Sequence, residues 1–114
     1  MDHSQMQGCI NACQACHNVC LETAIGYCLD QGWPHAERRH VALMLDCAAI
    51  CQSSANFLLR GSPFIDHTCS LCADICRHCA DDCERFNDER MSACAAACRE
   101  CSDVCLEMAA AASV

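Results

Sequence analysis

The sequence predicts an all-α protein, an antiparallel up-down-up-down four-helix bundle with a cysteine-lined core. Three observations carry this expectation. Both prolines and two of the four glycines fall together at two points, "DQGWPH" and "RGSPF", and leave long uninterrupted stretches between them. Alanine is abundant, and no stretch alternates β-branched residues with polar ones as a strand would. Finally, "CINACQACHNVC" places Cys9, Cys13, Cys16 and Cys20 at C-x3-C-x2-C-x3-C. That 4-3-4 spacing is the a/d seam of a heptad, the stripe that faces the centre of a bundle.

The first helix is expected near 4–31, opened by a capping box of Ser4 with Gln7 and ended by Gly32. The second is expected near 34–60, with Pro34 at its start and Gly61 as its stop. Its seam is His40, Met44, Cys47 and Cys51, the same 4-3-4 spacing with two substitutions, continued by Ser54 and Leu58. The third is expected near 63–86, with Ser62 as N-cap and Pro63 at the first helical position. It carries Cys72, Cys76, Cys79 and Cys83, extended backwards by Cys69. Asn87 and Asp88 break the chain before a fourth helix near 88–112, which carries Cys94, Cys98, Cys101 and Cys105. Such helices are roughly 36–42 Å long at about 1.5 Å per residue. Short connections between them force antiparallel neighbours. Residues 1–114 are expected to form one domain.

Composition narrows the function. A formal net charge of -8 argues against nucleic acid and anionic membrane surfaces, which both demand basic patches. No apolar run is expected to reach the roughly 18 residues of a membrane span. The start, "MDHSQMQGC", is polar and lacks the apolar core of a signal peptide, so a reducing cytosol is the expected compartment. There, sixteen cysteines in 114 residues read as metal ligands before disulfides.

The alternatives for those thiols separate on physical grounds. Free cysteine packs as a small hydrophobe, but a core built for packing alone would use leucine and isoleucine, which bury more area. Disulfides within one helix suffer poor Cβ geometry, and long capped helices are not scaffolds that need staples. Structural zinc commonly uses CxxC pairs separated by a loop, and iron–sulfur motifs also place cysteines in loops. Cu(I) fits better: it is soft and monovalent and accepts two or three thiolates. One Cu(I) per thiolate also leaves a buried core neutral. Cys28, His40 and Met44 extend the set of soft donors beyond the repeats.

With its repeated C-x3-C-x2-C-x3-C stripes on three helices, a two-cysteine second helix and no leader, the chain resembles the bacterial copper storage proteins over essentially its whole length. The resemblance implies a four-helix bundle whose cysteine thiolates bind many Cu(I) ions, with no catalytic reaction. The missing leader looks like the cytosolic branch, which implies a homotetramer.

In an antiparallel bundle one end would gather Met6, Leu58, Ile65 and Met108 as an apolar plug. The other would gather Cys28, His40, Met44, Phe86 and Met91. In the family, copper is thought to enter where His and Met replace Cys, and His40, Met44 and Met91 match that role. His3, His17, His35, His67 and His78 are left out of the ligand set. "CQAC", "CSLC" and "CREC" would suggest thioredoxin chemistry only beside strands, and none are expected. The expected function is high-capacity Cu(I) storage; the alternative is a transfer or sensing module holding few ions, and an enzyme is not expected.

Overall fold

The computed structural model describes residues 2–113. Among them there are only helices and turns. α1 (His3–Thr23) runs into a π-helical turn, Ala24–Cys28, and then into a short α2, Leu29–Gln31. These three pieces form the first rod. α3 (Arg38–Leu59), α4 (Ile65–Cys83) and α5 (Glu89–Ala112) are the other three. Neighbours pack around a closed ring, α1 on α3, α3 on α4, α4 on α5 and α5 on α1, in a body of 45 × 19 × 18 Å. This is the expected antiparallel bundle.

Local chemistry sets the helix ends, not always where the sequence pointed. The expected capping box at Ser4 does not form. Helix α1 begins one residue earlier, at His3, and the Asp2 carboxylate accepts from the Gln5 amide at 2.7 Å. Gln7 instead donates to Asn11 along the helix at 2.9 Å. Gly32 (φ 74°) and Gly61 (φ 64°) end their helices in the left-handed region, as expected. At Gly61 the Ser62 amide donates to the Phe57 carbonyl (3.0 Å) and the Gly61 amide to Leu58 (3.1 Å), a complete Schellman motif.

The second helix starts at Arg38 rather than Pro34. Residues 33–36 form a turn, closed by the Ala36 amide on the Gly32 carbonyl at 2.9 Å. Tertiary partners hold that turn: His35 bonds Asp88 at 2.7 Å and stacks against Phe86 at 4.3 Å between centroids. Ser62 is not an N-cap. Its hydroxyl accepts from the Phe64 amide at 3.0 Å, inside a turn, and α4 begins at Ile65. α4 also ends three residues early, in a tightened turn where Phe86 N–H donates to Cys83. Asp88 caps α5 by accepting from the Met91 amide at 2.9 Å.

The π-helical turn decides what the first rod buries. A strict 4-3-4 continuation from Cys20 would bring Thr23 and then Tyr27 inward. The wide turn adds one residue to the phase, so Thr23, Ala24 and Cys28 are buried while Tyr27 is only half-buried. Cys28 therefore joins the core.

On the other rods the seam is as expected: His40, Met44, Cys47, Cys51, Ser54 and Leu58 are all buried along α3. Small residues flank the thiols. Ala48, Ala55, Ala73, Ala80 and Ala95 are buried beside them and let the helices approach closely. Two interhelical hydrogen bonds lock the approach, Ser102 to the Ala73 carbonyl (2.9 Å) and His17 Nδ1 to the Ala48 carbonyl (2.7 Å).

The expectation about membrane-spanning runs needs correction. An 18-residue window of α3 reaches a mean hydropathy of 1.4, long and apolar enough by length and composition to cross a bilayer. In this fold 44% of that window is buried in the bundle, and its cysteines and Met44 supply the core face.

Most of the apolar residues flanking the thiols are half-buried, among them Val19, Leu43, Ile50, Ile75 and Val104, though Leu21 and Leu71 face outward. With α1 and α5 capped by Asp2 and Asp88 and protonated thiols acting as small hydrophobes, the metal-free chain is expected to be helical throughout its four rods. Circular dichroism of reduced, chelator-treated protein checks this. A coil spectrum that turns helical only on metal addition would refute it.

Candidate metal centre

All sixteen cysteines are free and buried. Their sulfurs form a lattice rather than isolated pairs. Near one end Cys9 and Cys13 lie 3.8 and 3.6 Å from Cys105, and Cys101 lies 3.8 Å from Cys13. In the middle Cys51 reaches Cys72 (3.8 Å), Cys76 (3.6 Å) and Cys101 (3.8 Å). Further along, Cys20 reaches Cys94 at 3.6 Å. Four groups of sulfurs lie within 4.8 Å of one another: Cys13, Cys72, Cys101 and Cys105; Cys16, Cys20, Cys47 and Cys98; Cys16, Cys51, Cys76 and Cys101; and Cys9, Cys69 and Cys105. Cys16, Cys101 and Cys105 each belong to two groups and link them. Cys79 and Cys83 are fully buried on α4 beside this lattice.

The soft donors expected at the far end do come together. Cys28 Sγ lies 3.6 Å from His40 Nε2, 3.8 Å from Met44 Sδ and 3.6 Å from Met91 Sδ. The sequence did not reveal why His40 points inward. Its Nδ1 is bonded to Asp82 Oδ2 at 2.6 Å, and Asp82 also accepts from Arg85 at 2.8 Å. A carboxylate on Nδ1–H leaves the Nε2 lone pair free on the Cys28 side, the arrangement that orients metal-binding imidazoles. Asp82 is 42 residues from His40, so no local motif could have announced it.

The cluster does not open at the bundle end: Cys28, His40, Met44 and Met91 are all buried. Phe86 is buried and stacks on His40 at 4.6 Å and on His35 at 4.3 Å, closing the end. His40 instead lines a lateral cleft of about 490 Å³ between α3 and α4, whose walls carry Glu37, Asp81 and Asp82 together with Arg39, Arg85 and His78. The opposite end is filled by buried Leu58, Ile65 and Met108 with half-buried Met6.

The remaining histidines stand apart from the thiols. His17 bonds the Ala48 carbonyl and His35 bonds Asp88. His67 and His78 are exposed beside Asp66 and Asp74, and His3 is exposed.

The lattice is a proton network before any metal arrives. Cys16 is pulled below the ordinary thiol range by hydrogen bonds from Cys101, Cys20 and Cys47. Cys20 is pushed above it by hydrogen bonds to Cys16, Cys47, Cys79 and Cys94. Beside His40, Met44 and Met91, burial pushes the Cys28 thiol from 9.0 to about 11, with the charges of Cys94 and Asp88 adding to the effect. Because the folded value lies above the unfolded one, Cys28 contributes stability that is fully present below pH 9.0 and lost as pH rises through about 11. Melting of the metal-free protein is therefore expected to fall by a few degrees between those values. The fall should shrink in Cys28→Ala, and an equal fall in that variant would remove Cys28 as its source.

Free sulfurs held 3.5–3.9 Å apart in a helical bundle, with no strand or nucleotide loop among the described residues, define a thiol-rich metal-binding bundle. The comparisons with known proteins then specify it. Residues 2–110 match the family described as Csp, copper storage protein, and the chain belongs to that family. It is 35% identical over 104 residues to the uncharacterized cysteine-rich protein YhjQ of Bacillus subtilis (strain 168), covering 91% of this chain and 95% of that one. Among solved structures it resembles the Nmul_A1745 protein of Nitrosospira multiformis (43% identity, TM-score 0.92, 96% and 99% of the two chains). It also resembles the Cu(I)-bound copper storage protein BsCsp3 (33% identity, TM-score 0.86, 92% and 98%).

Proposed function

We propose that the protein stores Cu(I) at high capacity, with the thiolates of Cys9, Cys13, Cys16, Cys20, Cys28, Cys47, Cys51, Cys69, Cys72, Cys76, Cys79, Cys83, Cys94, Cys98, Cys101 and Cys105 as its ligands. One observation carries this reading: sixteen free, buried cysteines drawn from all four rods, many with neighbouring sulfurs under 4 Å away. Each Cu(I) needs two or three such sulfurs and replaces a thiol proton, so loading keeps the core near neutrality. A module that hands over one or two ions has no use for a lattice this long. His40, Met44 and Met91 form the staging point with Cys28, reached through the cleft beside Asp82.

The chain acts as one metal-binding unit without a catalytic reaction, in the cytoplasm and as a homotetramer. Exposed Leu21, Ile25, Leu29 and Trp33 along the first rod and its turn support the self-associating part of this reading. The net charge of -8 supports the absence of nucleic-acid or membrane partners. Anaerobic Cu(I) titration of reduced protein tests the storage reading, since storage takes up many equivalents and transfer only one or two.

A further inference from the structure

One group of sulfurs has a geometry that Cu(I) does not require. Cys16 and Cys20 lie one turn apart on α1, Cys47 is on α3 and Cys98 on α5. All six separations among their sulfurs are short: 3.8 Å for Cys16–Cys20, 3.9 Å for Cys16–Cys47, 3.8 Å for Cys16–Cys98, 3.8 Å for Cys20–Cys47, 3.5 Å for Cys20–Cys98 and 3.9 Å for Cys47–Cys98. Six nearly equal edges make a nearly regular tetrahedron. With edges near 3.8 Å its centre lies about 2.3 Å from each corner, which is the Zn–S bond length of a tetrathiolate site.

We propose that Cys16, Cys20, Cys47 and Cys98 form a preorganised tetrahedral site for one borderline-soft divalent cation of the zinc class, bound by the copper-free protein. Helical stripes can thus build what zinc sites elsewhere build from paired CxxC loops, because three helices supply four corners. The surroundings support such a centre. His17 bonds the Ala48 carbonyl at 2.7 Å, clamping α1 to α3 next to Cys16 and Cys47. Binding follows Zn²⁺ + 4 RSH → [Zn(SR)₄]²⁻ + 4 H⁺, and the resulting dianion needs donors. Cys94, 3.6 Å from Cys20, offers one S–H to a ligand sulfur. Charge-assisted bonds of this kind to ligand atoms are what hold and tune a metal shell. Cu(I) would compete for the same sulfurs two or three at a time.

The inference stands apart from copper capacity, and its test uses no copper. Reduced full-length protein is titrated anaerobically with Co²⁺, a visible reporter of tetrahedral tetrathiolate coordination. The expected result is an intense visible spectrum complete at one equivalent, bleached by one equivalent of Zn²⁺, and lost in Cys47→Ala and Cys98→Ala but kept in Cys9→Ala. Circular dichroism establishes that each variant is folded. Zinc-edge X-ray absorption of the unmodified protein with one equivalent of Zn²⁺ should show four sulfurs at about 2.3 Å, a readout independent of the variants. An oxygen- or nitrogen-containing zinc shell, absence of the cobalt spectrum from the folded protein, or its survival in both tetrad variants would overturn the assignment.

Discussion

Replacing His40, Met44 and Met91 together by leucine is expected to slow Cu(I) uptake by about an order of magnitude, roughly 1.4 kcal/mol of barrier, while final capacity changes little. The reason is access. From Cys28 back to Cys9 the seam spans roughly 28 Å of helix, walled by close-packed rods. An ion must shed its carrier's ligands at one place and pass inward by ligand exchange. Cys28 with His40 and the two methionines is the cluster beside the lateral cleft. Neutral imidazole and thioether hold Cu(I) more loosely than thiolate, which suits a staging point. At the other end Met6 and Met108, one turn beyond Cys9 and Cys105, are the outermost soft donors, packed with buried Leu58 and Ile65. Stopped-flow transfer from a coloured Cu(I) chelator measures the effect, with Met6→Leu/Met108→Leu as the comparison. Slowed uptake in that pair with unchanged uptake in the triple variant would reverse the assignment of the mouth.

The second large effect concerns the linking thiols. Cys16 and Cys101 each belong to two of the four-sulfur groups, and together they take part in all three. Replacing both by alanine is expected to lower Cu(I) capacity by more than two ions, on the order of four, because each remaining neighbour loses a bridging sulfur and falls below the two ligands Cu(I) needs. Removing Cys28 and Cys83, which belong to none of these groups, should cost about two ions. Metal analysis after gel filtration of fully loaded variants reads the difference. Equal losses in the two double variants would mean that the thiols act independently rather than as a lattice.

The bundle and its cysteine seams were legible because one-dimensional spacing becomes angular position on a helix. Cys9 to Cys20, Cys72 to Cys83 and Cys94 to Cys105 needed only the heptad rule, and His40 and Met44 fell on the same stripe. Gly32, Gly61 and Asp88 were legible as punctuation because each does its work locally. What the spacing concealed depends on distant partners or on a break in periodicity. The π-helical turn at Ala24–Cys28 moves Cys28 inward by changing phase, and a regular count would have buried Tyr27. The late start of α3 follows from His35 being held by Asp88 and Phe86. The Asp82 bond that aims His40 crosses from α4 to α3. The Cys16, Cys20, Cys47 and Cys98 tetrahedron draws on three helices, so no spacing within a single helix could announce it.

The most direct measurement of the central claim is anaerobic titration of fully reduced protein with Cu(I), followed by removal of unbound metal and analysis of copper per chain. The account predicts saturation near one Cu(I) per cysteine, on the order of 12–20 ions per chain, with helicity unchanged throughout. Saturation at two or three ions in protein whose sixteen thiols are all titratable beforehand would contradict it.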